Sequence, residues 1–393
     1  MVELDVGRLL RGEVAADPRI RLTADSVLTG TSTPVDEAAL ALLGDRELSS
    51  WVDAGELAAR HGAPAQAVDE LTRQGLLVSD AEDDHLRELR RRDELLSASG
   101  WEPRAALYHF LNRWSDVDLD QPLPSNEDEA REIGAARRLQ TERFLEAAGP
   151  PPPHFHSVAN VGVHPLPLAD GPEDGIVRTL RQRRTSRVFD REAPLRLDEL
   201  SRLLATVFGC HGFARVSPSV VNLKKTSPSG GSLHPIEAYP LVIRCRNLEP
   251  GLFHYRVEDH ALERLESLGE ADAEALAEEL AAGQGFTRGA AVLFLMTARF
   301  GRTFWKYPNH PRAYTVVNMD AAHLSQTLYV ACAAQGLGAF FTAAVNGANV
   351  ERRLGVDPYA EGAIAIAGCG KPRRDPFGLE PVFEPFVPRR TRI

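Results

Sequence analysis

Three guanidinium groups and two hydroxyls occupy the short segment Arg183-Arg184-Thr185-Ser186-Arg187. Arginine offers forked, charge-assisted donors, and neighbouring hydroxyls can satisfy further lone pairs, so the segment suits a dianionic phosphate. A solvated helix end has a similar composition because exposed arginine is common. The cluster taken alone therefore leaves both interpretations open.

A second segment combines glycine with hydroxyl side chains: Thr226-Ser227-Pro228-Ser229-Gly230-Gly231-Ser232-Leu233-His234-Pro235. Its glycines leave room for a flat ligand to approach the backbone, and serine or threonine can donate to ring carbonyls. A surface turn before the strand expected at Ala238 would have the same composition. The segment is therefore either a ligand cradle or an ordinary turn.

A third segment of small residues follows a long predicted helix: Gly336-Leu337-Gly338-Ala339-Phe340-Phe341-Thr342-Ala343-Ala344. Small residues after a glycine-ended helix let backbone amides point at a ring atom. The alternative is a helix C-cap followed by an apolar segment that enters the core.

A lysine and a tyrosine are adjacent at Lys306-Tyr307, with Arg312 and Tyr314 downstream. A nearby ammonium favours the ionised form of a phenol, which makes a base able to remove a carbon-bound proton. Pro308 and Pro311 predict irregular backbone here, so both side chains could face one pocket. The alternative is ordinary loop surface.

The order and spacing of these segments resemble the nitroreductase superfamily over residues 176–375. The shared pattern is RR[ST]xRxF, then SPSGG with a following HP and strand, then GLGA after a long helix, then Gly368 after a final strand. The stretch 248–255, followed by Ala261-Leu262-Glu263, is similar to SagB-type dehydrogenases of peptide-maturation clusters. The resemblance implies an α+β fold, a sheet covered by helices, with FMN as cofactor.

The resemblance also implies roles for individual residues. The FMN phosphate would meet Arg183, Thr185 and Arg373, with Arg187 nearer the pyrimidine edge or ribityl chain. Ser229 and Gly230 would line the ring, and the amides of Ala343 and Ala344 would face N5, although relatives commonly have Gly-Gly there. The full implied cofactor-binding set is Arg183, Arg184, Thr185, Arg187, Pro228, Ser229, Gly230, Gly231, Ala343, Ala344, Gly368 and Arg373.

Two further features depend on the same resemblance. Azoline-oxidising relatives carry a Lys-Tyr pair at the place of Lys306 and Tyr307, which implies a catalytic role, and family members build the flavin site across a homodimer. His323 and Gln326 match the family's GHxxQ pattern in part, since Ala322 stands where glycine is usual. For these two we expect capping or dimer packing.

Hydrophobic periodicity predicts the elements that position these residues. Strands are expected at 238–243, 290–297 and 363–367, with helices at 269–282 and 313–335. This alternation gives an α+β domain over 176–393.

The N-terminal region, residues 1–148, is predicted to be winged-helix-like. Helices are expected from Thr33-Pro34 to Leu43, from Gly55 to His61 and from Pro64 to Gly75, followed by a strand at 76–78. Such a fold binds DNA or a peptide, but Asp69 and Glu70 on its second helix would repel phosphate. Aromatic residues between Trp101 and Trp114 predict a face that docks on the rest of the protein.

A proline-rich connector at 149–175 separates the two regions. Its His154 and His156 are expected to be linker residues and not metal ligands, because no third ligand stands nearby. The four cysteines, Cys210, Cys245, Cys332 and Cys369, form no CxxC pair and are expected to be reduced and buried.

Composition limits the class of function. The 393 residues carry a net charge of −10, which argues against general nucleic-acid binding. The first residues show neither a secretory signal nor a spanning helix, so a cytoplasmic protein without a membrane partner is expected.

The sequence therefore predicts an FMN-dependent oxidoreductase that modifies a ribosomally made precursor peptide, by azoline-to-azole or Cα–Cβ oxidation. The N-terminal domain would grasp the leader, and other peptide-maturation enzymes would be further partners. Two alternatives stay open: an NAD(P)H-dependent reductase acting on dehydroamino acids or nitroaromatics, and a non-catalytic winged-helix regulator.

Overall fold

The computed structural model describes residues 22–45, 48, 50–153, 155, 174–217 and 220–373. Within these ranges no helix combines the length and apolar character needed to span a membrane. His154 and His156 lie outside the described residues, as does most of the proline-rich connector.

The N-terminal half of the described chain has a hairpin and six helices. These elements are β1 Thr23–Ser26, β2 Thr31–Pro34, α1 Glu37–Leu43, α2 Ala54–Arg60, α3 Ala65–Arg73, α4 Asp84–Ala98, α5 Pro103–Leu111 and α6 Glu127–Ala148.

The C-terminal half alternates helices and strands. Its elements are α7 Gly175–Gln182, β3 Leu195–Arg196, α8 Leu197–Val207, β4 Gly212–Ser217, β5 Val220–Lys224, β6 Ile236–Val242, β7 Cys245–Arg246, β8 Gly251–Arg256, β9 Ala261–Ser267, α9 Glu270–Leu280, β10 Val292–Arg299, α10 Phe300–Lys306, α11 Pro311–Ala334, β11 Gly338–Thr342, α12 Gly347–Leu354 and β12 Glu361–Gly370.

A six-stranded antiparallel sheet with the order β11-β12-β10-β6-β8-β9 forms the centre of this half. Successive side chains of the central strand β10 enter two different cores because a strand alternates its faces. Phe294 and Met296 join the core that α11 covers, whereas Leu293 and Leu295 join the core under α9. The predicted α+β class, a sheet covered by helices, is confirmed.

The predicted bounds agree with the structure where the apolar pattern is long. The strands expected at 238–243, 290–297 and 363–367 are β6, β10 and β12, and the two expected helices are α9 and α11. The four cysteines are free. Cys332 and Cys369 are buried as expected, whereas Cys210 is exposed.

Local signals misled the prediction at the N-terminus. Thr33 and Pro34 do not begin a helix; they end β2, which pairs with β1. Helix α1 begins only after Asp36, whose side chain accepts a hydrogen bond from the Ala39 amide, a side-chain cap of the usual kind. Residues 76–78 form no strand.

The aromatic segment divides between core and surface. Trp101 and Phe110 are buried in the same core as Phe300, as predicted for a docking face, whereas Tyr108 and Trp114 are exposed. Helices α1 to α3 have a separate small core that includes Leu42, Leu57, Ala58, Val68 and Leu71. Residues 101–111 therefore pack as part of the C-terminal half, although they precede the predicted connector.

Candidate functional site

Helix α11 contacts all three of the segments that the sequence analysis singled out for glycine or arginine. The region before Arg183, the SPSGG segment and strand β11 all contact it. Tyr329 of α11 lies at the arginine segment and Asp320 at the SPSGG segment. Because an α-helix rises about 1.5 Å per residue, the two points are about 14 Å apart along its axis. The separation suits an elongated ligand with one anionic end.

The arginine segment lies beside strand β11. Ser186 N–H donates to the Ala339 carbonyl at 2.8 Å, so segments 150 residues apart in sequence are neighbours. Thr185 Oγ1 is 3.1 Å from Tyr329 Oη, and the Arg183 guanidinium lies 5.2 Å from the centre of the Tyr329 ring. Arg184 and Arg187 are exposed. The segment thus brings guanidinium groups and a hydroxyl next to β11 and Tyr329.

Arg373 lies near the arginine segment in space. Its backbone N–H donates to the Val188 carbonyl at 3.2 Å, which holds it next to the arginine segment. Arg373 itself is exposed.

Asp320 clamps the SPSGG segment to α11. Its carboxylate accepts hydrogen bonds from Ser229 Oγ at 2.5 Å and from Gly230 N–H at 3.1 Å, and it is buried. Ser229 Oγ also accepts from the His234 N–H at 2.9 Å. The Ser229 hydroxyl therefore donates and accepts hydrogen bonds within the protein. In this arrangement it positions the SPSGG segment, and its hydrogen is not directed at a bound ring.

The glycines of this segment are needed for close approach to α11. A Cβ on Gly230 would lie 2.1 Å from Val316 Cγ1, and Gly231 has a left-handed φ of +66°. Pro228 is exposed beside them. Burial lowers the pKa values of Lys225 and His234, which flank the segment on its other sides.

Lys306 and Tyr307 converge on Gly231. A Cβ built there would lie 3.0 Å from Tyr307 Oη and 3.1 Å from Lys306 Nζ. The route to this arrangement differs from the prediction, because Lys306 ends a regular helix, α10, and Tyr307 caps it. The chain leaves the helix at Tyr307, with φ of −129°, and this turn allows both side chains to reach one point.

The neighbouring Arg312 and Tyr314 take no part in this convergence. Arg312 is exposed, and Tyr314 is held in the core with its hydroxyl 2.9 Å from His109 Nδ1. Burial raises the pKa of Tyr314 to about 12. His323 and Gln326 lie on the exposed face of α11.

The segment after β11 places its two alanines differently. Ala344 N–H donates to Thr342 Oγ1 at 3.1 Å, whereas Ala343 is exposed. Gly368 lies inside the sheet, where a Cβ would come within 2.4 Å of the Phe340 ring. Packing against Phe340 therefore explains why residue 368 is a glycine. Of the two alanines, Ala343 is the better candidate for an amide that could donate to a ligand.

Sequence reasoning missed Asp320 and Tyr329. Asp320 interrupts an apolar stripe that includes Ala313, Val317, Ala321 and Leu324, and a carboxylate on the buried face of a helix was the available signal. Tyr329 carries no such signal, because a half-buried tyrosine on an amphipathic helix is common. Within the described residues no cluster of histidine, cysteine and acidic side chains could hold a metal ion.

Part of the chain matches a known protein family. The model of the nitroreductase family matches residues 180–371. The trifolitoxin-processing protein TfxB of Rhizobium leguminosarum bv. trifolii is 32% identical over 146 residues, which are 37% of this chain and 39% of TfxB. The match thus spans well under half of that relative's length.

Solved structures show weaker overall likenesses. A protein of Anabaena variabilis assigned to the nitroreductases is 25% identical over 50% of this chain and 38% of its own, with a TM-score of 0.42. A chain of the E. coli microcin synthetase McbBCD complex, with truncated pro-MccB17 bound, is 19% identical over 62% and 94%, with a TM-score of 0.40. The family match covers the arginine segment, the SPSGG segment and β11, and residues 180–371 of this chain form a domain of the nitroreductase family.

Proposed function

We propose that the protein is an FMN-dependent oxidoreductase that modifies a ribosomally synthesised precursor peptide. The observation that supports this most strongly is that Lys306 Nζ and Tyr307 Oη both lie beside Gly231. The turn that contains Gly231 packs on α11, the helix that also contacts the region of the arginine segment. One end of the site thus offers anion donors, and the other offers a proton acceptor next to a cation.

The donor set fits FMN. Arg183, Thr185 and Arg373 would hold the phosphate, since arginine forks and hydroxyls suit a dianion. Arg187 would lie nearer the pyrimidine edge or ribityl chain, with Arg184 beside it. The backbone at Pro228, Gly230 and Gly231 gives a flat ring room to approach, and the Ala343 amide can donate to it. Bound FMN would supply the hydride chemistry.

The chain's own task is to orient the substrate and to move a proton. Tyr307, acting as a phenolate, would accept at Oη the proton that leaves the substrate carbon and become a neutral phenol. The Lys306 ammonium would offset the negative charge of the phenolate before the transfer. Asp320 would keep Gly230 and Gly231 in place while this happens, through its two hydrogen bonds.

The peptide substrate is proposed from two similarities. TfxB is described as a trifolitoxin-processing protein, and residues 248–263 resemble SagB-type dehydrogenases. Azoline-to-azole or Cα–Cβ oxidation follows from that resemblance, with the N-terminal helices α1 to α3 holding the leader. Aerobic turnover of a precursor peptide supports this proposal, whereas flavin reduction by NADPH without any peptide oxidation would favour the reductase alternative.

FMN binding gives the first expected result. The purified protein should be yellow and release FMN, not FAD, on denaturation. Arg183→Ala should weaken FMN retention by about tenfold or more, because a charge-assisted hydrogen bond contributes about 1.5 to 3 kcal/mol. Titration with FMN followed by fluorescence quenching measures the change, and Arg202→Ala, an exposed arginine of α8, is the control. A colourless protein that cannot be reconstituted contradicts the flavin assignment.

We also propose a homodimer through α11. Met319, Ala322, His323 and Gln326 are exposed at the i, i+3, i+4 and i+7 positions of one helix face, opposite the buried stripe. Met319→Glu should shift the protein towards monomer and reduce its FMN content, because the charge would be buried in the interface. Light scattering with flavin absorbance tests this, and a monomeric wild type that retains FMN would contradict the proposal.

A further inference from the structure

A cleft of about 880 Å³ opens beside the Lys306 and Gly231 end of the site. Its walls come from the β4–β5 hairpin, from helix α10 and from the loop around Tyr359, and Ser99 closes one side from the end of α4. The cleft is thus continuous with the point where Tyr307 Oη and Lys306 Nζ meet, and it lies at the opposite end of the site from the arginine segment.

The cleft has an apolar wall that the protein leaves uncovered. Trp305 is 69% exposed, and Val216 and Val221 of the hairpin are exposed as well. Exposed apolar side chains grouped in one cleft with a polar rim indicate a binding surface. A bulky apolar group is the ligand chemistry that this wall recognises.

Three cations, Arg299, Arg302 and Lys306, line the cleft together with one carboxylate, Glu361. Glu237 pairs with Arg299 at 3.1 Å, and Glu361 accepts from the hydroxyls of Tyr239 and Thr297. Arg302 donates to the Leu233 carbonyl at 2.6 Å but has no carboxylate partner within the described residues. This half-buried guanidinium, in a chain of net charge −10, favours an anionic group in the ligand.

The backbone along the cleft is a strand edge. Three consecutive residues of β5, Val220, Val221 and Asn222, line it. Side chains of a strand alternate between two faces, so consecutive lining residues mean that the edge of the strand borders the cleft. Within the described residues this sheet has only β4 and β5, but the Leu223 carbonyl already accepts from Ser232 Oγ at 2.9 Å and lies 3.1 Å from His234 Nε2. Strand β5 therefore borders the cleft with the residues before Leu223.

We propose that this cleft binds the substrate beside β5 and selects a peptide in which a bulky apolar residue stands close to an acidic one. Trp305 takes the apolar side chain and Arg302 takes the carboxylate, while the reacting residue lies at Gly231. This inference rests on the proposed function in one respect, namely that the peptide bound in the cleft is the substrate.

Selection from a random dodecapeptide phage library, on the immobilised full-length protein with FMN in the buffer, tests the proposal. Peptides with Asp or Glu within two residues of Leu, Ile, Phe or Trp should be enriched at least about tenfold. Arg302→Gln should lose about tenfold of the enrichment for acidic residues, since it removes a charge-assisted contact. Trp305→Ala should lose the apolar preference. Both variants should keep their flavin.

Two exposed residues outside the cleft provide matched controls. Arg246→Gln and Phe144→Ala should select the same peptides as wild type, because both residues are exposed and lie outside the cleft and outside helices α1 to α3. An unchanged acidic preference in Arg302→Gln, or no enrichment by the FMN-loaded wild type, overturns the proposal. Displacement of selected peptides by NADPH in an Arg302-dependent way also overturns it, because the cleft would then be a dinucleotide site.

The two proposals can fail independently of each other. A protein that selects acidic, apolar peptides but binds no FMN supports the cleft and contradicts the oxidoreductase. A protein that binds FMN and oxidises a peptide but shows no such selection contradicts the cleft alone.

Discussion

Tyr307→Phe is expected to slow single-turnover flavin reduction by about 100-fold or more while leaving the fold and bound FMN intact. The substitution removes only the hydroxyl oxygen, which lies beside Gly231 and close to Lys306 Nζ. The ring, which lies at the end of α10, keeps its packing. The measurement is anaerobic mixing with the cognate peptide, with flavin absorbance as the readout.

Tyr108→Phe is the matched control, because Tyr108 is an exposed tyrosine outside the site. It should reduce its flavin at the wild-type rate. If Tyr307→Phe does so as well, the proton acceptor lies elsewhere, and His234 and Lys225, which flank the SPSGG segment, are the next residues to test.

Lys306 belongs to the same unit. Lys306→Met keeps a straight side chain only one atom shorter but removes the ammonium, so turnover should fall with FMN content unchanged. The double variant with Tyr307→Phe should be little slower than Tyr307→Phe alone, since both changes disable one proton-transfer unit. Losses that multiply would show that the two side chains act independently.

The order of the motifs along the chain allowed the sequence to predict which segments belong to one candidate site. The sequence did not predict individual contacts between residues far apart in the chain. The arginine segment, the SPSGG segment and β11 were each weak signals, but each has a chemical type suited to one part of a flavin. The Asp320 clamp depends on a hydrogen bond between residues 91 positions apart, and no local pattern reports it. Gly368 is the opposite case: it matches the family pattern, but the structure explains the glycine by its packing against the Phe340 ring.

Local backbone signals failed where tertiary pairing prevailed. Thr33-Pro34 has the composition of a helix start, but pairing with β1 keeps it extended. Pro308 and Pro311 suggested irregular backbone around Lys306, yet Pro308 follows the helix end and Pro311 begins the next helix, positions at which proline costs little. The convergence of Lys306 and Tyr307 was predicted, but for an incorrect backbone reason.

Trp101 links the N-terminal region to the proposed base. It is 4% exposed, its indole N–H donates to the Tyr359 carbonyl at 3.1 Å, and its ring lies 4.6 Å from Phe300 and 4.8 Å from Phe304. Both phenylalanines belong to α10, the helix that ends at Lys306. The adjacent Gly100 carbonyl accepts from the Asn309 N–H at 2.9 Å, just beyond Tyr307.

Trp101→Ala is therefore expected to lower the free energy of unfolding by about 3 to 5 kcal/mol, the usual cost of emptying a buried aromatic site. Trp101→Phe should cost less, because it refills most of the volume and loses only the indole donor. Urea denaturation followed by far-UV circular dichroism measures both, with the exposed Trp51→Ala as a control that should stay within about 0.5 kcal/mol of wild type. Because α10 carries Lys306, kcat should fall in Trp101→Ala even at temperatures where the protein remains folded and FMN-loaded. A variant of wild-type stability and turnover would mean that the segment around Trp101 neither stabilises α10 nor positions the base.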